Sequence, residues 1–464
     1  MRELDDLARR LGPDALVRDP DEMAPYLTDW RGRYRGAALA VVRPAGVEGV
    51  QATVGWARVH RVGVVPQGGN TGLAGGASPT ADGRGSRPQV VLSLARMARV
   101  HAVDRVGMTL EAEAGCVLEH AKQAAADAGR LLPISFGAQG SATIGGMIAT
   151  NAGGISVLRY GTARQLVLGL EAVLADGTRV RGLSGLRKDN AGWNWKQLLI
   201  GSEGTLGIVT AAVLKLVPLP AERALAYVSV ADPERALALL EHVQDAMGEA
   251  VAAFELISGA AMELVVGHLG GRAPLPGAHW LVLIEVADSA RGLRGRLEDA
   301  LASAVDADLA LDAVPADSHE QIRRFWTLRE SIAEAEKRAG PSVKHDVGVP
   351  VSEVPVFIRE AEEGLAQLGS GLRTIVFGHL GDGNLHFNVA GGGERTPDEA
   401  ITRTVHDVVA RLGGSITAEH GIGQSRIGEL LRLKPAAELA LLRRVKHALD
   451  PDGLLNPGKV LPPL

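Results

Sequence analysis

The sequence predicts an α+β fold in two unlike parts, and three observations carry that expectation. Residues 1–220 interleave short apolar runs and helical patterns with glycine loops. Residues 221–424 turn instead to longer strands alternating with helices, the pattern of an antiparallel sheet with helices on one face. Pro218 and Pro220 stand at the join, where proline ends a ladder because it has no N–H to donate. Residues 425–464 read as a helical segment with a turn-rich end, Asp450-Pro-Asp-Gly-Leu-Leu-Asn-Pro-Gly-Lys459. A chain of 464 residues has room for about three such domains or lobes.

The elements follow in order. Residues 1–10 set acids and arginines around Leu4 and Leu7, an amphipathic helix rather than a signal or transit peptide. Residues 39–42 read as a strand, 47–60 as a helix, and 63–66 as a strand entering a glycine loop. Strands are expected at 90–94 and 108–112, followed by a helix over 117–128. The strands 168–175 and 178–182 flank Asp176-Gly177, a strong hairpin turn signal, and 206–217 closes the region. In the second part, 225–230 and 280–286 read as strands, with helices over 233–247, 290–305 and 317–337. Residues 371–389 return to glycine punctuation inside β-like sequence, and 397–412 and 436–449 are helical. There is no tandem repeat, and no low-complexity run beyond 391–393.

Composition excludes several classes. Hydrophobic residues make up 46% and charged residues 22%, which rules out disordered, collagen-like and coiled-coil chains. A net charge of −5 argues against a nucleic-acid partner, which needs a basic footprint. The single cysteine, Cys116, precludes an intramolecular disulfide and a cysteine-based zinc knuckle, and suits a reducing, cytoplasmic setting. No stretch approaches the roughly 18 apolar residues that a membrane-crossing helix needs.

Glycine is the compositional outlier, at 58 of 464 residues. Nineteen of them fall in 68–76, 137–154, 201–207, 378–383 and 421–423, which together span only 43 residues. The loop Pro66-Gln-Gly-Gly-Asn-Thr-Gly-Leu-Ala-Gly-Gly76 follows a strand, and glycines there let successive N–H groups turn toward one anion. Asn70 and Thr71 add side-chain donors. The loop has neither a Walker ending nor Rossmann spacing, so a magnesium triphosphate or NAD in its usual site is disfavoured. With residues 136–154 and 201–208 there are three such loops, which favours a diphosphate ligand.

The run Gly378-His-Leu-Gly-Asp-Gly-Asn-Leu-His386 carries two histidines seven apart, and its glycines suggest two strand pieces around a turn. Glu419-His420 lies in a distant segment. Two histidines and a carboxylate suit a three-ligand site for a borderline metal such as zinc, with a position open for substrate. They are equally compatible with ordinary satisfied histidines, of which the chain has 13.

These segments resemble the vanillyl-alcohol-oxidase/PCMH flavoproteins, and within them the D-2-hydroxyglutarate and D-lactate dehydrogenases. The residues behind the resemblance are Asp29-Trp-Arg31, PQGGNTG at 66–72, GSATIGGMIATNAGG at 140–154, RYG at 159–161 and LRKDN at 186–190. GSEGTLGI at 201–208, GHLGDGNLH at 378–386, AEHGIG at 418–423 and LNPGK at 455–459 complete the set, in family order across nearly the whole chain. The resemblance implies a PCMH-type FAD-binding domain over 1–220, a ferredoxin-like α+β substrate (cap) domain with a metal site over 221–424, and a C-terminal segment, 425–464, returning to the FAD domain. It implies that Gly68, Gly69, Asn70, Thr71 and Gly72 hold the FAD diphosphate, while Ser141, Gly145, Gly146, Asn151 and Ile208 line the rest of the cofactor. Some relatives tether the flavin to His or Cys; the 66–76 loop has neither, so FAD is expected to be non-covalent, with Cys116 a buried small residue.

The resemblance also places His379, His386 and Glu419 on the metal-ligand positions and His420 on the catalytic base. Asn388 falls where the substrate carboxylate is bound, and Asp382 is given a turn role by its Gly-Asp-Gly setting. Arg329 and Lys344 match cations that grip the second carboxylate of 2-hydroxyglutarate, although the helping Thr is Ala333 here, with Ser331 close by. Retaining both cations favours a diacid. Structural ion pairs of these cations, with Glu330 or Glu334, are the competing expectation. The implied activity is FAD-dependent, zinc-assisted oxidation of a D-2-hydroxy acid, D-2-hydroxyglutarate favoured, by proton loss to a histidine and hydride transfer to flavin. The rival readings are a D-lactate or glycolate dehydrogenase and, more remotely, an ether-lipid synthase-like transferase. The sequence leaves the electron acceptor open among an electron-transfer flavoprotein, a quinone, a cytochrome and oxygen, and relatives suggest a homodimer.

Overall fold

The computed structural model describes residues 2–81, 87–391 and 398–462. The chain forms two compact units. One comprises Met1–Gly154, Gly161–Leu219 and Glu419–Leu464; the other comprises Ile155–Tyr160 and Pro220–Ala418. The return to the first unit thus comes at Glu419 rather than 425, and the short helix Val157–Tyr160 goes with the second, where Leu158 sits against Gly381.

The first unit holds two main sheets. In one, Leu16–Val17, Val41–Val42, Gln89–Ser93 and Gly63–Gln67 lie in that order, the last two parallel with Val64 opposite Val90. Gln89–Ser93 is buried at every position, as expected for a parallel strand covered on both faces. The other sheet is antiparallel, in the order Val100–Asp104, Thr109–Glu113, Ile208–Lys215, Val167–Val173, Arg179–Gly182. The helix Val47–His60 turns Val47, Val50, Val54, Trp56 and Ala57 inward, and they join Val64, Leu92, Leu110, Leu118 and Leu170 in one core. At the Asp176-Gly177 turn, Gly177 has φ +87° and the Asp176 carboxylate accepts from the Thr178 N–H at 2.8 Å. Here β-strand 39–42 shrinks to Val41–Val42.

The second unit is built on an antiparallel sheet ordered Asp312–Pro315, Glu222–Val230, Trp280–Asp288, Val251–Ser258, Arg373–His379, Asn384–Ala390, Ser342–Val343, with Asp346–Gly348 also on Asn384–Ala390. Leu225, Tyr227, Ile257 and Leu283 pack with Met262, Trp326 and Ile332 from the helices Gly259–Leu269, His319–Glu330 and Ile332–Ala339. The alternate positions Ala224, Ala226 and Val228 are buried as well. Helices therefore cover both faces of the sheet, not one, with Pro233–Met247 and Leu293–Asp306 against the same strands. The helix expected over 317–337 is broken at Ser331 into two. Among the elements of this unit not anticipated are the strands Val251–Ser258 and Asp312–Pro315 and the helices Gly259–Leu269 and Val354–Leu368. The helix expected from 397 is Asp398–Arg411; Pro397, Gly392 and Gly393 lie outside the described residues.

Candidate active site

In the first unit, glycine is required where the loops meet. A Cβ on Gly68 would lie 2.1 Å from Thr143 Oγ1, one on Gly69 1.9 Å from the Ser141 carbonyl oxygen, and one on Gly145 2.7 Å from Ala114 Cβ. Loop 66–76 is thereby pressed onto 140–154. At Gly72 a Cβ would meet nothing within 4 Å, and this residue and Ser141 are exposed, with Thr71 half-buried. This glycine-walled, partly open loop fits an anion cradle. Asn70 and Asn151 take left-handed backbone, φ 52° and 51°. Their side chains serve the loops rather than face outward. Asn70 Nδ2 donates to the Pro25 and Thr28 carbonyls at 3.1 and 2.8 Å, and Asn151 Oδ1 accepts from Thr162 Oγ1 and the Arg164 N–H at 3.0 Å each. The expected Asn70 side-chain donor is therefore spent inside the protein. The Ile208 side chain is in the core, 1% exposed, while Gly146 caps back to Thr143 Oγ1.

The C-terminal segment fastens these loops. Glu203, at φ 52°, accepts from the Ile422 and Gly423 N–H groups at 2.7 and 2.9 Å; its burial pushes the carboxyl above its ordinary range despite those bonds. Asn456 Nδ2 donates to the carbonyls of Gly76 and Glu203, and Gln424 Nε2 to those of Gly75 and Ser78. Gly423 lies so close to Ala74 that a Cβ would come within 2.1 Å of its carbonyl oxygen. The glycines of AEHGIG thus serve loop packing. Glu203, Gln424 and Asn456 were not singled out from sequence, although Glu203 and Asn456 sit inside quoted motifs. Glu419 begins this segment, and its Oε1 accepts from the Gly154 N–H at 2.8 Å; His420 follows it. Lys459 is 2% exposed and donates to the Pro457 carbonyl, and burial pulls its ammonium down to about 7.

In the second unit, the two histidines end up side by side. His379 closes Arg373–His379, His386 lies in Asn384–Ala390, and their ring centroids are 6.3 Å apart. The turn between them needs its glycines: a Cβ on Gly378 would be 2.5 Å from the Asn384 carbonyl oxygen, and one on Gly383 2.1 Å from that of Val349. Asp382 has the turn role, its Oδ1 accepting from the Asn384 N–H at 3.0 Å. Register then supplies a partner the sequence concealed. Glu255 lies directly opposite His379, fully buried, and its Oε1 is 2.5 Å from His379 Nδ1. Its Oε2 accepts from Arg329 Nε and Nη2, each at 2.7 Å. Burial alone would raise this carboxyl; His379 and Arg329 overcome it and hold it at about 2. Arg329 also stacks over Phe377, 5.0 Å from the ring centroid. Near His386, Asp346 accepts from Asn384 Nδ2 at 2.9 Å and lies 4.0 Å from His386 Nδ1.

A second buried glutamate meets the other cation. Lys344 Nζ is 2.6 Å from Glu336 Oε2, which also accepts from Asn388 Nδ2 at 2.9 Å. Asn388 Oδ1 accepts from the His345 N–H at 3.1 Å, so its acceptor and one of its two donors are engaged within the chain. Neither Glu330 nor Glu334 is the partner of these cations; Glu334 pairs with Arg338. Ala333 is exposed. Both hidden glutamates had a readable sign. Glu255 interrupts the apolar run 251–257, and Glu336 lies four residues after Ile332 on the helix face that Ala335 also occupies.

Comparison with known proteins identifies the family. The family profile of FAD linked oxidases, C-terminal domain, matches residues 219–460, and that of the FAD binding domain matches 38–182. The mitochondrial D-2-hydroxyglutarate dehydrogenase of Bos taurus is 39% identical over 463 residues, covering 99% of this chain and 84% of the relative. The D-2-hydroxyglutarate dehydrogenase of Xanthomonas citri pv. viticola is 37% identical, covering 96% of this chain and 94% of its own length. Among solved structures, an alkyldihydroxyacetonephosphate synthase superposes with TM-score 0.75 at 18% identity, covering 98% of this chain and 84% of that one. p-Cresol methylhydroxylase does so with TM-score 0.75 at 17% identity, covering 99% and 96%; both likenesses concern the fold. The chain belongs to the FAD-linked oxidases of the vanillyl-alcohol-oxidase/PCMH type, in the branch that holds the D-2-hydroxyglutarate dehydrogenases.

Proposed function

We propose that this protein is an FAD-dependent, zinc-assisted dehydrogenase that oxidises a D-2-hydroxy acid, D-2-hydroxyglutarate among its substrates, to the 2-oxo acid. The observation that carries the reading is the Glu255 junction. One buried carboxylate fixes both His379, a metal-ligand candidate, and Arg329, a substrate-cation candidate, in a chain that carries an FAD-binding domain. The identity to named D-2-hydroxyglutarate dehydrogenases supports the substrate.

When bound, FAD supplies a two-electron acceptor and a divalent cation supplies Lewis acidity toward the substrate hydroxyl. The rest falls to the chain. Two imidazoles and a carboxylate, with no thiol, make a donor set suited to zinc: His379, His386 and Glu419. Glu255 on Nδ1 of His379 leaves Nε2 as its ligand atom and fixes the ring plane. His420 takes the hydroxyl proton on a neutral imidazole nitrogen, the group whose ordinary pKa suits that task near pH 7. Arg329 retains N–H groups beyond those given to Glu255 and orients a substrate carboxylate, as does the remaining N–H of Asn388. The FAD is held non-covalently, a reading supported by a 66–76 loop without His or Cys and by the full burial of Cys116. One buried cysteine also suits a cytoplasmic setting; no helix among the described residues is long and apolar enough to cross a membrane.

The test is anaerobic titration of purified protein with D- and L-hydroxy acids, following the flavin absorbance. D-2-hydroxyglutarate should bleach it and the L-isomer should not. Chelation should slow bleaching at least roughly a hundredfold, the share ordinarily due to a Lewis acid. An unchanged rate after chelation removes the metal role, and bleaching by no hydroxy acid removes the function.

A further inference from the structure

The cation expected to receive a substrate's second carboxylate already holds one from its own chain. Glu336 is 1% exposed and accepts three donors: Lys344 Nζ at 2.6 Å and Asn388 Nδ2 at 2.9 Å on Oε2, and Ser342 Oγ at 2.6 Å on Oε1. A buried carboxylate so fully bonded does not leave its place, because leaving strands every donor. Its position follows from the fold: Ile332, Ala335 and Glu336 share the buried face of Ile332–Ala339, and Ser342–Val343 brings Ser342 and Lys344 across it. Lys344 keeps about a quarter of its side chain exposed, so an incoming acid reaches an ammonium whose charge is already compensated. Arg329 is compensated in the same way by Glu255. A second carboxylate brought to Lys344 would lie beside that of Glu336, and like charges at such range repel strongly in a partly buried site.

We infer that Glu336 is a specificity-determining residue: by compensating Lys344 it opens the site to D-2-hydroxy acids with one carboxylate and an uncharged side chain, and reduces the advantage of the diacid. The inference rests on the proposed oxidation of 2-hydroxy acids at this site. It accounts for a chain that keeps both cations and yet carries a buried acid against each.

The test compares kcat/KM for D-2-hydroxyglutarate and D-2-hydroxybutyrate in the FAD-loaded, zinc-loaded enzyme and in Glu336→Gln, which keeps the shape and one acceptor but removes the charge. The native enzyme should oxidise the two acids within about tenfold of each other. E336Q should raise the diacid-to-monoacid ratio by about tenfold or more, through a lower KM for the diacid with kcat nearly unchanged. Adding Lys344→Met to E336Q should return the ratio to the native value. Glu336→Leu, a good helix former, should act in the same direction if the amide impairs folding. Calorimetric affinities for 2-oxoglutarate against 2-oxobutyrate give the same ratio without turnover, so a failure of the catalytic reading is separable from a failure of this one. A native enzyme selective for the diacid by more than about a hundredfold, or a ratio that E336Q and E336L leave unchanged, overturns it.

Discussion

Glu255 shows what one residue can organise when burial leaves a charge no alternative. A carboxylate inside an apolar strand must be paired, and here it is paired twice, with a guanidinium and an imidazole. The pairing does more than satisfy the charge. It sets the His379 tautomer and couples ring orientation to the place of Arg329. Glu255→Gln keeps the size but loses the charge, so it should weaken zinc binding about 10- to 100-fold, as loss of such a partner behind a ligating histidine does. It should also lower stability by up to about 3–5 kcal/mol, because Arg329 is left buried beside a neutral amide. Competition with a chromogenic chelator measures the first effect and urea unfolding the second. Unchanged zinc affinity would end the assignment of Glu255 as the residue that positions His379.

At the scale of elements, the glycine loops divide into positions that pack and positions that face outward. Gly69→Ala puts a methyl group 1.9 Å from the Ser141 carbonyl and must push loop 66–76 off loop 140–154. Loss of about 1–3 kcal/mol of apoprotein stability is expected, together with weaker FAD binding. Gly72→Ala meets nothing within 4 Å, so apoprotein stability should change by less than about 0.5 kcal/mol while FAD binding still weakens. Urea unfolding of apoprotein, with FAD affinity by fluorescence, separates the two; equal stability losses would contradict the division. The same contrast explains what could be read from sequence. The helix Pro233–Met247 was legible because Asp232 caps it through the Arg235 N–H at 2.7 Å, Pro233 opens it, and Gly248 ends it at φ 57°. The strand Val251–Ser258 was not, because it is buried on both faces and shows no alternation. The pair His379 and His386 was visible in local glycine spacing. Glu255 was not connected to Arg329 or His379, which lie 74 and 124 positions from it. Antiparallel register sets it opposite His379, and Arg329 reaches it from the helix His319–Glu330.

At the scale of the whole molecule, the first unit is finished by the chain's last stretch, 419–464, and that stretch brings a charge into the interior. Asn456, Gln424 and the N–H groups of 422–423 hold the glycine loops, and Leu455 bridges to Val64 in the parallel sheet. Within this closure Lys459 is buried beside a carbonyl, and burial alone brings its ammonium down to about 7. An unfolded lysine titrates near 10.4. Between about 7 and 10.4 the unfolded chain therefore binds a proton that the folded unit does not, and this residue's contribution makes stability rise with pH across that window, by about 1.4 kcal/mol per pH unit at most. Below about 7 both states are protonated and the full desolvation penalty applies. Lys459→Met removes the titration while keeping the length of the side chain. Its stability relative to the native apoprotein should be greatest at pH 6 and should fall by about 2–3 kcal/mol by pH 9, as the native lysine loses its penalty. Urea unfolding of both proteins at pH 6, 7.5 and 9 measures this difference. A gap between them that stays constant, or widens with pH, would show that Lys459 remains charged within the fold.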